Sequence, residues 1–386
     1  MIPYGRQDIN QADIDAVVAV LHSDYLTQGR AVPAFEQAVA DYCDAQHAVA
    51  VNSATSALHI ACLALGVGKG DSVWTTPITF VASANCALYC GATVDFVDID
   101  PQTYNLSVDR LAGKLVEAEK TGKLPKVVIP VHLCGQACDM AGIYALSQQY
   151  GFKIIEDASH AIGGKYKNDR IGNGRYSDIS IFSFHPVKII TTGEGGVAVT
   201  NDEALVKHMR LFRGHGISST VEEMHPRPPQ EIWNYQQIDL GFNYRMTEMQ
   251  AALGVSQMTR LDSYVAKRHR LAERYDKALT GLSIQTPWQS RDNYSAYHLY
   301  PIRIKPNQSG RQQRHVYDAL HVAGIKVNLH YIPVYRQPYY EALGFKVGYC
   351  PAAEEYFQEA LSIPLYPTLS DADQAKVIRV LHDVLV

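Results

Sequence analysis

The sequence predicts an α/β protein built around a largely parallel sheet and followed by a smaller C-terminal α/β domain. Three observations lead there. Short apolar β-type runs alternate with helical patterns through the first two thirds of the chain, as in proteins whose parallel sheet is covered by helices. Apolar residues make up 47% of the 386 positions and charged residues 19%, which suits a large core. The residues fit for chemistry follow predicted strands directly, where open α/β sheets place their sites.

In chain order, His47–Asn52 reads as a strand running into a helix over Ser56–Leu65. Ser72–Thr76 is the next strand, then a helix near Phe80–Tyr89 and a strand at Thr93–Val97. Lys126–His132, Lys153–Glu156, Ile179–Phe184 and Val197–Thr200 continue the strand series. Arg213–Gly241 breaks the rhythm with Pro226, Pro228 and Pro229 among polar residues, and reads as a loop or extended hairpin. From Met246 to about Leu279 the pattern is one long helix, which divides the chain into 1–250 and 251–386. The C-terminal part gives a strand at Tyr297–Ile304, a helix from Gln312 to Ala323 and a strand near Ile325–His330. A closing helix, Ser370–Leu385, begins on the capping run Ser370-Asp371-Ala372-Asp373.

Composition excludes several functions. Lys+Arg 35 against Asp+Glu 39 leaves no basic excess for a nucleic-acid backbone. No apolar run reaches the 18 residues of a membrane span, and the opening MIPYGRQDIN lacks a signal-peptide core. A cytoplasmic protein, bound to neither nucleic acid nor membrane, is expected. The 7 cysteines are too few and too scattered for a disulfide framework. Cys134 and Cys138 with His132 supply three ligands where zinc usually takes four, so no metal site is expected. Tyrosine is in surplus, with 24 residues against 10 phenylalanines. Its polar-tipped ring suits both packing and polar ligands.

Three segments carry chemistry. Asn52-Ser53-Ala54-Thr55-Ser56-Ala57 is a strand-to-helix junction of small and hydroxyl residues, able to cradle a phosphate on free N–H groups. Taken alone it reads more readily as an ordinary helix cap. Ile154-Ile155-Glu156-Asp157-Ala158-Ser159-His160 places an acid at a strand end, suited to a ribose, a metal or a protonated ring nitrogen. Phe182-Ser183-Phe184-His185-Pro186-Val187-Lys188-Ile189-Ile190 sets a lysine among apolar neighbours ahead of the turn Gly193-Glu194-Gly195-Gly196. Desolvation lowers a lysine's pKa and suits it to Schiff-base chemistry. Together, a phosphate cradle, an acid for a pyridinium nitrogen and such a lysine are what pyridoxal phosphate requires.

Over nearly its whole length the sequence resembles the DegT/DnrJ/EryC1/StrS sugar aminotransferases. The resemblance rests on NSATSALHIA, TTPITFVASAN, VHLCGQACDM, EDASHAIGG, FSFHPVKIITTGEGG, GFNYRMTEMQAALG and HYIPVYRQPYY. It implies the fold-type I pyridoxal-phosphate architecture, a large domain with a mostly parallel seven-stranded sheet plus a smaller α/β domain, and pyridoxal 5'-phosphate as cofactor. By the same likeness Lys188 would carry the Schiff base and Asp157 would pair with the pyridine nitrogen. Ala54, Thr55 and Ser183 would hold the phosphate, joined by Asn243 from the neighbouring subunit of a homodimer with shared active sites. Phe80 would stack on the ring. His160 stands near the cofactor where many relatives have glutamine, and an imidazole N–H can replace an amide donor.

Within the family the sequence resembles members of the pseudaminic-acid pathway. The pointers are SHA after Asp157, SFH before Lys188, LTQG at Leu26–Gly29 and the tyrosine-rich run from His330 to Tyr335. They imply transfer of an amino group from L-glutamate to C4 of a UDP-4-keto-6-deoxy-N-acetylhexosamine, giving UDP-4-amino-4,6-dideoxy-N-acetyl-β-L-altrosamine. Tyr4, Asp24, Tyr25, Leu26, Thr27, His185, Asn328, Leu329, His330 and Tyr331 would line the sugar-nucleotide site, with Tyr335 close by. The competing reading is transamination of another nucleotide-linked 4-keto or 3-keto deoxysugar. A nicotinamide dehydrogenase is disfavoured because Gly66-Val67-Gly68-Lys69-Gly70 lacks the G-x-G-x-x-G spacing and precedes a strand. Lys188 argues against the family's 3-dehydratases, which have histidine there, and Lys188 with Asp157 argues against a binding protein without catalysis.

Overall fold

The computed structural model describes residues 1–228, 230–305 and 313–385. Pro229 and Gln312, which the sequence placed in a loop and at a helix start, lie outside the described residues. Seven strands form the main sheet, in the order His47–Val51, Gly196–Thr200, Ile179–Ser183, Lys153–Asp157, Val127–Ile129, Ser72–Thr75 and Thr93–Phe96. The last five pair in parallel. Gly196–Thr200 runs antiparallel to both its neighbours. Successive residues feed opposite faces, as the two-residue period of a strand requires. Ile154, Phe182 and Val197 enter one core, and Ile155, Ile181 and Ala198 enter the other. Because both faces are covered, these strands read as continuous apolar runs.

A second, antiparallel sheet joins Ile284–Gln285, Tyr300–Ile304 and Ala360–Ile363. Its core includes Ile302, Val316, Leu320 and Val377, the last three from the helices Gln313–Val322 and Asp371–Leu385. Ile2 packs in this core and its N–H donates to Gly324 O at 2.9 Å. The first residues of the chain are thereby tied to the C-terminal sheet.

Two expectations need correction. The long helix after Met246 is two helices, Glu248–Met258 and Leu261–Ala278. Thr259 closes the first by donating its hydroxyl to Ser256 O at 2.6 Å, while Arg260 is drawn to Asp13 Oδ2 at 2.6 Å and Tyr264 Oη at 2.8 Å. The segment Ile325–His330 is no regular strand: Ile325 bridges Ile2 and Asn328 bridges Ser362, so it splits its pairing between two partners. The proline-rich stretch does form a hairpin, Ile217–Ser218 against Gln236–Gln237. Residue 250, where the sequence suggested the domain division, lies inside the helix Glu248–Met258, which packs on Gln11–Leu21 and Ala31–Cys43.

Candidate active site

Several strand ends of the main sheet bring one cluster of side chains together. At the first, Ser53 caps the helix Ala54–Ala64 by accepting from Ser56 N. The N–H groups of Ala54 and Thr55 open that helix and so lack intrahelical partners. The antiparallel strand runs close beneath this turn. A Cβ on Gly196 would stand 2.4 Å from Ala54 N and 2.5 Å from the carbonyl carbon of Ser53. Ser183 ends the adjoining strand with its Cα paired to Gly196, and its hydroxyl has no hydrogen-bond partner among the described residues.

Asp157 ends the central strand and is buried. Ser83 Oγ donates to its Oδ2 at 2.6 Å and Ser159 N–H to its Oδ1 at 3.1 Å. Ser83 belongs to the helix Ala82–Tyr89, so the same turn presents Phe80, whose ring is 60% exposed and lies 6.5 Å from that of Tyr331.

Lys188 lies in the loop that leaves Ser183. Thr192 N donates to Phe184 O at 3.0 Å, and Phe184 N to Gly195 O at 2.9 Å, closing the loop at its base. Phe184, Ile189 and Ile190 anchor it in the core. Burial pushes the Lys188 amine down to about 8, against the opposing pull of the Asp157 carboxylate and the Cys134 thiol.

His160 is buried behind this pair. Its Nδ1 accepts Cys134 N–H at 3.3 Å, which leaves the proton on Nε2 to donate to Tyr331 Oη at 3.3 Å. The segment Asn328–Tyr331 comes from the C-terminal part of the chain. Asn328 Nδ2 donates to His330 Nε2 at 3.2 Å, and His330 Nδ1 then donates to Ser362 Oγ at 2.9 Å. Burial, with the nearby Lys188 charge, pushes His330 down to about 3, so it is neutral. The Tyr4 ring lies 5.3 Å from that of His330, the planes tilted by 57°. Leu365 N–H donates to the Tyr4 carbonyl at 3.1 Å, so the amino-terminal anchoring described above delivers Tyr4 to the cleft.

The structure thus gathers Ala54, Thr55, Ser183, Phe80, Asp157, His160, Lys188, Asn328, Leu329, His330, Tyr331 and Tyr4. His185 is exposed beside Lys188, its Nε2 3.9 Å from Glu194 Oε1. Asp24, Tyr25, Leu26 and Thr27 occupy an exposed segment against Glu248, whose N–H donates to Leu26 O at 3.1 Å, and no contact ties them to the Lys188 cluster. Asn243 is exposed, and its carbonyl accepts from Asn52 Nδ2 of the same chain at 3.5 Å. Tyr335 is a packing residue, correcting the expectation that it sits by the sugar: it is fully buried and donates to Glu354 Oε1 at 2.6 Å. His132 donates to Glu156 Oε2 at 2.8 Å. Among the described residues no histidine, cysteine and carboxylate group could hold a metal ion. Nor is any helix long and apolar enough to cross a membrane. His298, packed on His160, and Arg268, bonded to the His298 carbonyl, carried no sequence signal.

Known proteins resemble this chain in sequence and fold. The sequence profile of the DegT/DnrJ/EryC1/StrS aminotransferase family fits residues 7–382. The chain is 37% identical to the spore coat polysaccharide biosynthesis protein SpsC of Bacillus subtilis, covering 100% of this chain and 97% of that one. It is also 37% identical, over 100% of its length and 98% of the relative, to the UDP-4-amino-4,6-dideoxy-N-acetyl-beta-L-altrosamine transaminase of Campylobacter jejuni. The GDP-perosamine synthase of Caulobacter vibrioides is 35% identical, with 99% of this chain and 97% of that one covered. Among solved structures, Helicobacter pylori PseC, an aminotransferase involved in pseudaminic acid biosynthesis, superposes with a TM-score of 0.88 at 29% identity, covering 100% and 99% of the two chains. A Streptococcus pneumoniae protein solved in a PLP form gives 0.87 at 28% identity, covering 100% of each.

Proposed function

The chain belongs to the DegT/DnrJ/EryC1/StrS aminotransferase family, and from that footing we propose that it transfers the amino group of L-glutamate to C4 of a UDP-linked 4-keto-6-deoxy-N-acetylhexosamine. The product would be UDP-4-amino-4,6-dideoxy-N-acetyl-β-L-altrosamine. At the coarser level it is a sugar aminotransferase whose cofactor is pyridoxal 5'-phosphate. The observation that carries the proposal is the meeting of a desolvated Lys188, a buried Asp157 and the open helix start at Ala54 in one cleft.

The residues fit the cofactor. The close approach that only Gly196 allows leaves the Ala54–Thr55 amides and the Ser183 hydroxyl free to receive a phosphate. A Cβ there overpacks the turn, which costs about 1–3 kcal/mol. Gly196→Ala is therefore expected to lower the affinity for pyridoxal phosphate, read by absorbance titration of the cofactor-free protein, more than it lowers Tm. Pyridoxal phosphate, when bound, supplies a carbonyl carbon that carries the amino group and a ring that accepts the electron pair of the reacting carbon.

The chain's own residues do the rest. Asp157, held by Ser83 and Ser159, would keep a proton at the ring nitrogen. Phe80 would cover one ring face. Lys188 Nζ would be the base that carries a proton between the two carbons exchanged in transamination. Its placement would select the face protonated at C4. The free amine is neutral above about 8, so acylation of Lys188 in the cofactor-free protein by an amine-selective reagent is expected to rise as pH passes that value. The sign for stability follows from linkage. The folded pKa of about 8 lies below the usual 10.5, so the unfolded chain binds the extra proton between them and this group's contribution makes the fold more stable as pH rises from 8 to 10.5.

Tyr4, His185, Asn328, Leu329, His330 and Tyr331 would hold the sugar nucleotide. Pairing into a homodimer is supported by exposed apolar side chains on the first helix (Ile14, Val18, Leu21), at Tyr25 and Leu26, and along the hairpin (Val221, Leu240). Asp24–Thr27 and Asn243 would then serve a site shared between subunits. The similarity to GDP-perosamine synthase keeps a second nucleotide sugar in play.

The test is incubation with glutamate and the 4-keto product of a UDP-GlcNAc 5-inverting dehydratase, alongside the uninverted 4-keto sugar and a GDP-linked 4-keto-6-deoxymannose. Amination of the first at C4, with the others turned over at least ten times more slowly, is expected. Preference for either of the others would overturn the assignment of the sugar.

A further inference from the structure

His298 stands two residues before the strand Tyr300–Ile304 and is only 4% exposed. Its ring centroid lies 4.4 Å from that of His160, the planes tilted by 51°. Its Nδ1 has no hydrogen-bond partner. With no hydrogen bond at Nδ1, the ring is placed by its backbone and by packing that includes His160.

That backbone is pinned from two sides. Arg268, 1% exposed and without a carboxylate partner among the described residues, donates Nη1 to the carbonyls of Tyr297 and His298, both at 3.1 Å, and of Leu365 at 2.8 Å. On the other side, Ala296 N–H donates to Gly135 O at 3.0 Å and Leu299 N–H to Cys134 O at 3.4 Å. Gly135, at φ +107°, is required here, since a Cβ would stand 2.7 Å from Tyr297 N. The same Cys134 gives its N–H to His160 Nδ1 at 3.3 Å. One loop thus fixes the edge of His160, and His298 backs its ring.

His160 Nε2–H in turn reaches Tyr331 Oη, and the hydroxyl proton of Tyr331 has no acceptor among the described residues. We infer that His298 is a positioning residue: pinned by Arg268, it holds the His160 ring in the one orientation that keeps its Nδ1 on Cys134 N–H, so that Tyr331 directs its hydroxyl proton at the bound sugar. The inference rests on the proposed placement of Tyr331 against the acceptor sugar. It assigns to the segment between residues 295 and 299 a part in substrate recognition that needs no contact with substrate.

A double-mutant cycle and a nitrogen spectrum test it. His298→Ala is expected to raise KM for the acceptor sugar about tenfold while kcat falls less than about threefold, and in a Tyr331→Phe background the same change should add less than about twofold. His298→Phe keeps a ring against His160 and should stay within about threefold of the unaltered enzyme. In the nitrogen NMR spectrum of 15N-histidine-labelled protein, His160 should give a sharp Nε2–H signal at the same position in the unaltered protein and in His298→Phe, and a shifted or broadened one in His298→Ala, where the ring is free to turn away from Cys134 N–H and Tyr331 Oη. A tenfold effect that persists without the Tyr331 hydroxyl, or a His160 signal unchanged in His298→Ala, would overturn the inference. If no sugar acceptor is turned over, the functional proposal fails, and the nitrogen spectrum still decides the role of His298.

Discussion

Replacing Lys188 by alanine is expected to lower turnover by about 10⁴-fold or more, since the variant loses a positioned base together with the amine that binds the cofactor carbonyl. The protein should still fold. Lys188 is held in place by its neighbours Phe184, Ile189 and Ile190, which remain. The visible absorbance of the cofactor-loaded protein should move to that of free pyridoxal phosphate, because no protein amine would then be joined to it. Small primary amines should restore part of the turnover, as they can enter the space left by the side chain. Rescue that follows amine basicity would identify the missing function as proton transfer. Retention of the original absorbance in Lys188→Ala, with no amine added, would sink the assignment of this lysine.

Asp157→Asn should lower kcat by about 10²–10³-fold, the scale on which removal of a charged stabiliser in a dry site usually acts. The carboxylate is buried and receives Ser83 Oγ at 2.6 Å and Ser159 N–H at 3.1 Å, so its orientation is set before any ligand arrives. Asparagine preserves the shape and can still accept from Ser83. It cannot hold a proton at a ring nitrogen by charge. Cofactor affinity should therefore fall much less than turnover, which separates the charge effect from loss of binding. Ser83→Ala, which keeps the charge but frees one oxygen, should have a smaller effect. Turnover near that of the unaltered enzyme in Asp157→Asn would rule out the ring-nitrogen role.

The cofactor side of the cleft was legible in the sequence because its geometry is local. Ser53, Ala54 and Thr55 are a cap and the first turn of a helix, Asp157 and Ser183 end strands, and Lys188 lies one short loop later. In each case a few neighbouring residues determine the backbone that presents the group. The sheet was legible for the same reason, since a strand buried on both faces shows as an apolar run.

The substrate side depends on contacts across long stretches of chain, which no local pattern records. Arg268 reaches Leu365, and Ile2 pairs with Ile325, so Tyr4 and the Asn328–Tyr331 segment meet through contacts between distant parts of the chain. Tyr335 belongs to the same tyrosine-rich run as Tyr331, yet one turns into the core and the other faces His160. His298 is one histidine among 15, and only its packing against His160 distinguishes it. The break at Thr259–Arg260 was hidden because apolar periodicity continues through it, while Arg260 is drawn aside by Asp13, some 247 residues earlier. The tyrosine surplus accordingly has two sources, with Tyr4 and Tyr331 at the cleft and Tyr275, Tyr300, Tyr335 and Tyr356 filling cores.

The central claim is that Lys188 is the residue that takes pyridoxal phosphate into this cleft. Borohydride reduction of the cofactor-loaded protein, followed by proteolysis and mass spectrometry, tests it directly. One pyridoxyl group per chain on the peptide that contains Lys188, lost when glutamate is added before reduction, is the expected result. A label on any other lysine, or a label at Lys188 that glutamate does not remove, would contradict the account.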